Sequence, residues 1–112
     1  MVGSRPMTAE PAPDHVIVLG TFDLDPADRK AFIESKAVQV TESRAEEGNL
    51  QYAFSADGAD AGRVLLTELW TSDGAFQAHL ARIAAEREAS GIVEPVAIRD
   101  RSFLVFSASP KG

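Results

Sequence analysis

Two segments of the sequence read as β-strands that are apolar on both faces: HVIVLGTFDL (residues 15–24) and RVLLTELW (residues 63–70). In both, valine, isoleucine, leucine and aromatic residues occupy odd and even positions alike. Because side chains alternate between the two faces of a strand, both faces of these strands require burial. The chain must therefore place them inside a sheet that is covered on both sides.

Capping residues predict two helices. Asp25 as N-cap and Pro26 at the first position begin a helix that ends at Gly48. The second helix follows the Thr-Ser pair at 71–72 and ends at Gly91. Each helix is preceded by one of the strands that are apolar on both faces.

A hairpin lies between the two helices. The segment NLQYAFSA (residues 49–56) alternates between apolar and polar positions, which predicts a half-buried strand. Its apolar face consists of Leu50, Tyr52 and Phe54. The turn cluster DGADAG (residues 57–62) then returns the chain antiparallel into the strand at 63–70.

A last strand from Val96 to Ser107 completes the order β-α-β-β-α-β. This order predicts an α+β, ferredoxin-like domain with a four-stranded antiparallel sheet over residues 15–109, preceded by a flexible tail at residues 1–14. Two helices cover only one face of such a sheet. We therefore expect a homodimer in which the other face packs against a second copy.

Composition narrows the function further. The net charge of −6 opposes binding to nucleic acid, and no apolar run is long enough to span a membrane. The chain has no cysteine, which excludes disulfides, thiolate metal sites and thiol nucleophiles. These features, with no signal-peptide pattern at the start, predict a cytoplasmic protein.

The segment EEGNLQYAFSADGADAGRVLLTELWTSDGAFQAHL (residues 46–80) resembles the central motif of the antibiotic biosynthesis monooxygenase family. The matching elements are an acidic residue before Gly48, an E-x-W strand end at Glu68 and Trp70, and the A-x-x-A-H-L pattern that contains His79. The resemblance implies a dimeric α/β barrel built from ferredoxin-like subunits. It also implies oxidation of a quinol or polycyclic phenol by dioxygen, without metal or flavin.

Such a reaction needs a base and a stabilised substrate anion in a pocket without water. His79 is the candidate base, Trp70 a stacking surface and Tyr52 a proton relay or oxyanion donor. For each, a purely structural role in the core is the alternative. Further candidates for substrate binding are Phe22, Phe32, Phe54, Phe76 and Asn49. We expect no metal ligand and no cofactor, with a small aromatic substrate and dioxygen as partners.

Several charged residues near these candidates have two interpretations. Glu68 either orients the indole of Trp70 or pairs with an arginine such as Arg63. Arg99 and Arg101 on the last strand are solvated edge charges that balance acidic residues at the dimer edge, or one of them binds an anionic substrate.

Three other functions fit the same fold. A non-catalytic protein would bind an aromatic ligand, and an isomerase would act without dioxygen. Haem-degrading relatives carry an asparagine on the first strand, where this chain has Gly20. Many family members carry a second histidine shortly after the first, and none follows His79 here. The missing asparagine makes haem degradation a minor alternative, and the missing second histidine argues against mechanisms that use two histidines.

Overall fold

A computed structural model describes residues 14–91 and 94–111 of the chain. Its strands are β1 (His15–Asp23), β2 (Asn49–Ala56), β3 (Arg63–Trp70) and β4 (Asp100–Ala108). Its helices are α1 (Arg29–Ser35), α2 (Ala37–Arg44) and α3 (Asp73–Ser90). The strands form one sheet in the order β2-β3-β1-β4, and all neighbours are antiparallel. The predicted ferredoxin-like α+β fold is confirmed.

The first helical segment is interrupted, whereas the sequence predicts one continuous helix. Asp25 is the N-cap, and its side chain accepts a hydrogen bond from Ala27 N at 2.9 Å. A short 3₁₀ turn, Pro26–Asp28, precedes α1, and the helix axis breaks at Lys36 between α1 and α2. Gly48, with φ of 84°, then reverses the chain into β2.

Helix α3 has the ends that its sequence predicts. The Ser72 side chain accepts a hydrogen bond from Ala75 N at 3.1 Å, which caps the first turn. Gly91 ends the helix in the left-handed conformation, with φ of 59°. The helix packs on β1 and β3, so its buried face lies over the centre of the sheet.

The expected apolar face of β2 is wrong at one position. The register between β2 and β3 shifts between Asn49 and Gln51, as in a β-bulge. An extra residue in one strand changes which face the neighbouring side chains occupy. Leu50 is consequently 54% exposed, whereas Tyr52 is buried.

The last strand begins later than the sequence predicts. Residues 96–99 are not part of β4, which starts at Asp100. Val96 and Ile98 are half-buried and pack against the core, so their apolar alternation reflects packing of a loop rather than strand pairing. Arg99 N still donates to Asp23 O at 2.8 Å, one residue before the strand begins.

The sheet has two different faces. The inner face lies under the helices and carries most of the core, namely Val16, Val18, Phe22, Tyr52, Val64, Leu66 and Trp70. The outer face has no helix over it among the described residues. Its exposed apolar side chains are Leu19, Leu104 and Phe106, at 45%, 56% and 47% exposure.

The predicted tail at residues 1–14 lies outside the described residues, apart from Asp14. The side chain of Asp14 accepts a hydrogen bond from Ser109 Oγ at 2.6 Å. None of the described helices is long and apolar enough to cross a membrane.

Candidate active site

A cavity of about 270 Å³ lies between the inner face of the sheet and the helices. Its lining combines apolar side chains (Val18, Phe22, Phe54, Leu66, Leu80, Ile83, Phe103, Val105) with polar and charged ones (Lys36, Gln39, Tyr52, Glu68, His79, Arg87, Glu94, Arg101). The exposed lining residues all lie on α3 or β4, and they include Leu80 and Phe103. The cavity therefore opens to solvent between α3 and β4.

His79 lies at the inner end of this cavity. It is 3% exposed, because α3 presses its side chain against the sheet. The imidazole centroid lies 4.7 Å from the indole of Trp70 and 5.3 Å from the ring of Tyr52. Helix α3 and two strands thus bring together the three residues that the sequence suggests for catalysis.

Glu46, in the turn before β2, fixes one nitrogen of His79. His79 Nδ1 and Glu46 Oε1 are 2.7 Å apart, and the same oxygen accepts a hydrogen bond from an Arg82 nitrogen at 3.0 Å. Burial raises the pKa of Glu46, but the hydrogen bonds from Arg82 and His79 outweigh that effect and lower the pKa. Glu46 is therefore a carboxylate at neutral pH.

The Glu46 carboxylate determines which nitrogen of neutral His79 carries the proton. A carboxylate only accepts hydrogen bonds, so Nδ1 is the donor and Nε2 keeps its lone pair. Nε2 lies 3.8 Å from Glu68 Oε1, beyond hydrogen-bond distance. The basic nitrogen of His79 is thus left without a hydrogen-bond partner among the described residues, in a side chain that lines the cavity.

Glu68 is a buried carboxyl group at the same end of the cavity. Trp70 Nε1 donates a hydrogen bond to Glu68 Oε1 at 3.0 Å. Burial raises the pKa of Glu68, against the opposing effects of the Trp70 hydrogen bond and nearby His79. Of the two interpretations of Glu68, the structure has the one in which it orients the indole. Arg63 pairs instead with Asp23, at 2.9 Å.

Tyr52 contributes a hydroxyl group to the lining. Its oxygen accepts a hydrogen bond from Gln39 Nε2 at 2.6 Å. Burial raises the pKa of Tyr52 to about 12, although the hydrogen bond from Gln39 lowers it in part. The phenol is therefore protonated at neutral pH and can donate a hydrogen bond to an oxygen atom in the cavity.

Only some of the residues that the sequence suggests line the cavity. His79, Tyr52, Phe22 and Phe54 do, and the residues that do not are Trp70, Phe32, Phe76 and Asn49. The expectation that Trp70 stacks directly on a substrate needs an exposed indole face, and this indole is 0% exposed.

The other three residues outside the lining have structural contacts. Phe32 is 0% exposed and packs beneath Phe22, with ring centroids 5.2 Å apart. Phe76 packs against Trp70 at 6.4 Å. The Asn49 side chain donates to Gln51 O at 3.0 Å, within the bulged start of β2.

Sequence reasoning missed several residues that shape this site. Glu46 and Arg82 orient His79, Gln39 binds Tyr52, and Phe103 forms part of the wall. The sequence signal for Glu46 is weak, because the motif turn is marked by Glu47 and Gly48, and a second acidic residue before it is also typical of an exposed turn. No group of three or more His, Cys, Asp or Glu side chains suited to a metal ion occurs within residues 14–91 and 94–111.

Comparison with known protein families identifies the family to which this chain belongs. The profile of the family described as antibiotic biosynthesis monooxygenase matches residues 15–87, more than half of the chain. The chain belongs to the antibiotic biosynthesis monooxygenase family. The predicted resemblance is therefore confirmed. Comparison with curated proteins finds no match.

Solved structures show the same fold. A candidate antibiotic biosynthesis monooxygenase from Deinococcus radiodurans is 25% identical, with a TM-score of 0.65, and the match covers 85% of this chain and 93% of that one. A second, from Caulobacter crescentus, is 20% identical, with a TM-score of 0.66 and coverage of 88% and 93%. A conserved protein from Bacteroides thetaiotaomicron, called a possible oxidoreductase, is 19% identical, with a TM-score of 0.69 and coverage of 86% and 99%.

Proposed function

We propose that this protein is a cofactor-independent monooxygenase that oxidises a planar phenolic or quinol-type substrate with dioxygen. The observation that carries the proposal is the pair formed by Glu46 and His79 at the inner end of a cavity with aromatic walls. The pair supplies an oriented base, and the cavity supplies an apolar site for a planar ring. Family membership supports the reaction class.

His79 acts as the general base. Nε2 removes a proton from the bound phenol or anthrone, while Glu46 holds Nδ1 and keeps the ring in place. The imidazolium that forms then lies between two carboxyl groups, with Glu46 at 2.7 Å and Glu68 at 3.8 Å. Tyr52 donates a hydrogen bond to the substrate oxygen that gains negative charge.

Trp70 acts through its neighbours rather than by touching the substrate. Its N–H holds Glu68, and its ring packs against His79. The aromatic walls of the cavity come instead from Phe22, Phe54 and Phe103. A volume near 270 Å³ is close to the lower end of the range of about 300–1,000 Å³ for ligand pockets, which favours a substrate of two or three rings.

The substrate itself supplies the electrons for dioxygen. The substrate anion gives one electron to dioxygen, and the resulting radical pair combines to a carbon-bound peroxide. The proton on His79 returns to the outer peroxide oxygen. The hydrogen on the same ring carbon then leaves as a proton while the O–O bond breaks, and the outer oxygen departs as water. One oxygen atom remains on the ring carbon as a quinone carbonyl group and the other leaves in water.

We also propose that the protein is a homodimer joined through the outer face of the sheet. Leu19 and Leu104 are neighbours on that face in the β1–β4 register, and both are exposed. Ile17 lies beside Phe106 in the same register, so the apolar surface is continuous across the two strands. A monomer rarely exposes a continuous apolar face of this kind.

Dioxygen uptake by the purified, metal-stripped protein, measured with a panel of quinols and anthrones, tests the reaction. We expect uptake above the spontaneous rate in wild type, near-complete loss in His79→Ala and partial loss in Trp70→Phe. Thermal unfolding of each variant checks that it still folds.

The alternatives give different results. Tight binding of a panel compound without uptake would replace the proposal with a non-catalytic binding protein. Turnover under anaerobic conditions would replace it with an isomerase. A Soret band on titration with haem would support the haem-binding alternative.

A further inference from the structure

Two arginines at the mouth of the cavity stand out from the others in the chain. Five of the seven arginines described by the structure hydrogen-bond to acidic side chains or carbonyl groups, and these are Arg29, Arg44, Arg63, Arg82 and Arg99. Arg87 and Arg101 have no side-chain partner among the described residues, and both line the cavity. Two guanidinium groups are thus available to a ligand at one site.

Arg87 lies on the same face of α3 as His79. The residues His79, Ile83 and Arg87 follow at intervals of four, and all three line the cavity. Eight residues of helix place Arg87 about 12 Å from His79 along the axis, toward the end of α3. The arginine therefore lies at the far end of the cavity from the proposed base.

Arg101 lies at the same far end, on the opposite wall. In the sheet, Val105 pairs with Val18, and Val18 pairs with Glu68, so these three residues form one row beside His79. Arg101 precedes Val105 by four residues on the same face of β4, which is about 14 Å along the strand. Helix α3 runs opposite to β3 and β4, so Arg87 and Arg101 lie at the same end of the cavity.

The charges around the cavity favour an anion at its mouth. Lys36, a third cation in the lining, is already paired with Glu94, with both Lys36–carboxylate distances at 2.9 Å. Glu68, the other carboxyl group in the lining, lies at the opposite end with His79. The chain as a whole carries −6, and Arg87 and Arg101 are the two lining cations without an acidic side-chain partner among the described residues.

The walls of the cavity include aromatic side chains that can contact a flat ring. Phe103 and Phe22 contact each other edge to face, with centroids 5.5 Å apart, and both line the cavity. Arg101 pairs with Phe22 in the β1–β4 register, so the two residues are neighbours on the inner face of the sheet, and both line the cavity. A ligand that spans the cavity meets a base at one end, Phe103 in the middle, and Phe22 with the two arginines at the other end.

We infer that Arg87 and Arg101 form a carboxylate-binding site, and that the substrate is a planar aromatic acid with its carboxylate at the end opposite the reacting position. Guanidinium groups bind carboxylates through paired, charge-assisted hydrogen bonds. The inference rests on the proposed function only in placing the reacting position beside His79. The carboxylate site itself is tested by binding alone.

The test compares two ligands of the same shape. One is a naphthohydroquinone with a carboxylate on its second ring, and the other is the corresponding carboxamide. Anaerobic binding to the full-length protein is measured by isothermal titration calorimetry, so that no oxidation occurs. We expect wild type to bind the carboxylate about tenfold more tightly than the carboxamide.

Variants test whether Arg87 and Arg101 cause the preference for the carboxylate over the carboxamide. The double variant Arg87→Gln/Arg101→Gln is expected to bind both ligands equally, and each single variant to lose part of the difference. Arg99→Gln is the matched control, because Arg99 is exposed, pairs with Asp25 and lies outside the cavity lining. It should keep the wild-type preference. Higher salt should reduce the preference in wild type.

The possible results separate this inference from the proposed function. Equal binding of both ligands by wild type, no binding of either, or an unchanged preference in the double variant would overturn the carboxylate site. Carboxylate-selective binding without dioxygen uptake would support the site and overturn the monooxygenase proposal. Dioxygen uptake with no preference for the carboxylate would support the monooxygenase proposal and overturn the carboxylate site.

Discussion

Glu46 and His79 are 33 residues apart in the sequence, and their side chains meet at 2.7 Å. The contact joins the turn before β2 to the middle of α3, and Arg82 completes it by binding the same Glu46 oxygen. Its chemical consequence is a histidine with a fixed Nδ1 proton and a basic Nε2 at the inner end of a cavity.

Replacing Glu46 by glutamine should slow catalysis more than it weakens binding. Without the carboxylate, His79 loses its fixed orientation and the partner of its imidazolium form. We expect Glu46→Gln to lower kcat about 10- to 100-fold with little change in KM. Steady-state dioxygen uptake measures both quantities.

Glu42→Gln is the matched control for this variant. Glu42 also pairs with Arg82, at 3.3 Å, but does not touch His79. The control should keep kcat within about twofold of wild type, since surface ion pairs contribute little. A similar loss in both variants would mean that Arg82, rather than the carboxylate on His79, carries the effect.

Glu46 and Glu68 should affect the pH dependence of stability with opposite signs. The pKa of Glu46 is lowered, so its contribution to stability is present above its ordinary pKa of 4.5 and is lost as the pH falls. The pKa of Glu68 is raised by burial, so stability falls as the pH rises above 4.5. The free energy of unfolding, measured by urea denaturation between pH 4 and pH 7, tests both.

At pH 7, Glu46→Gln should be less stable than wild type by about 1 kcal/mol. This difference in the free energy of unfolding should become smaller toward pH 4. Glu68→Gln should gain stability relative to wild type as the pH rises over the same range. Glutamine at residue 68 can still accept the hydrogen bond from Trp70. If the free energy of unfolding of both variants, relative to wild type, changed with pH in the same direction, the environments assigned to Glu46 and Glu68 would be contradicted.

Tyr52 should ionise well above the ordinary range. It is the only tyrosine in the chain, so ultraviolet absorbance reports its titration without interference from another tyrosine. We expect a midpoint near pH 12, because burial raises its pKa to about 12. Loss of Gln39, in Gln39→Leu, should shift the midpoint further upward, since that hydrogen bond lowers the pKa. A midpoint near pH 10 in wild type would mean that the phenol is exposed.

A lysine on the outer face of the sheet should dissociate the proposed dimer. Leu104→Lys places a charge in the middle of the expected interface, and we expect the dimer dissociation constant to rise about 100-fold or more. Analytical ultracentrifugation measures the change. Val38→Lys on α2 is the control, because Val38 is 69% exposed and lies away from the sheet. A monomeric wild type would contradict the proposed assembly.

Sequence reasoning predicted the elements that have strong local signals. The hairpin from Asn49 to Trp70 has the predicted bounds, because clear alternation and a turn rich in Gly and Asp define it. Ser72 and Gly91 limit α3 as expected, because capping depends on neighbouring residues alone. The family relationship also follows from a local motif within residues 46–80.

The errors arise where tertiary contacts override a local pattern. Leu50 alternates with polar residues but is exposed, because a bulge shifts the register of β2. Val96 and Ile98 alternate like strand residues but pack against the core without belonging to β4. A register shift or a packed loop has no distinctive sequence pattern.

The candidate site was predictable only in part for a similar reason. His79 and Tyr52 are rare residue types in a recognisable motif, so the sequence singles them out. Glu46 is one of many acidic residues, and its role depends on a contact with α3 that folding alone creates. The burial of Trp70 behind Glu68 and His79 likewise depends on packing that the strand pattern leaves open.

Oxidation with isotopically labelled dioxygen tests the central claim most directly. Metal-stripped wild type is incubated with an anthrone, and the mass of the quinone product is measured beside that from His79→Ala. The account predicts one labelled oxygen atom per quinone, formed at a rate that falls to the spontaneous level in the variant. An unlabelled product, or an equal rate of labelling in His79→Ala, would contradict it.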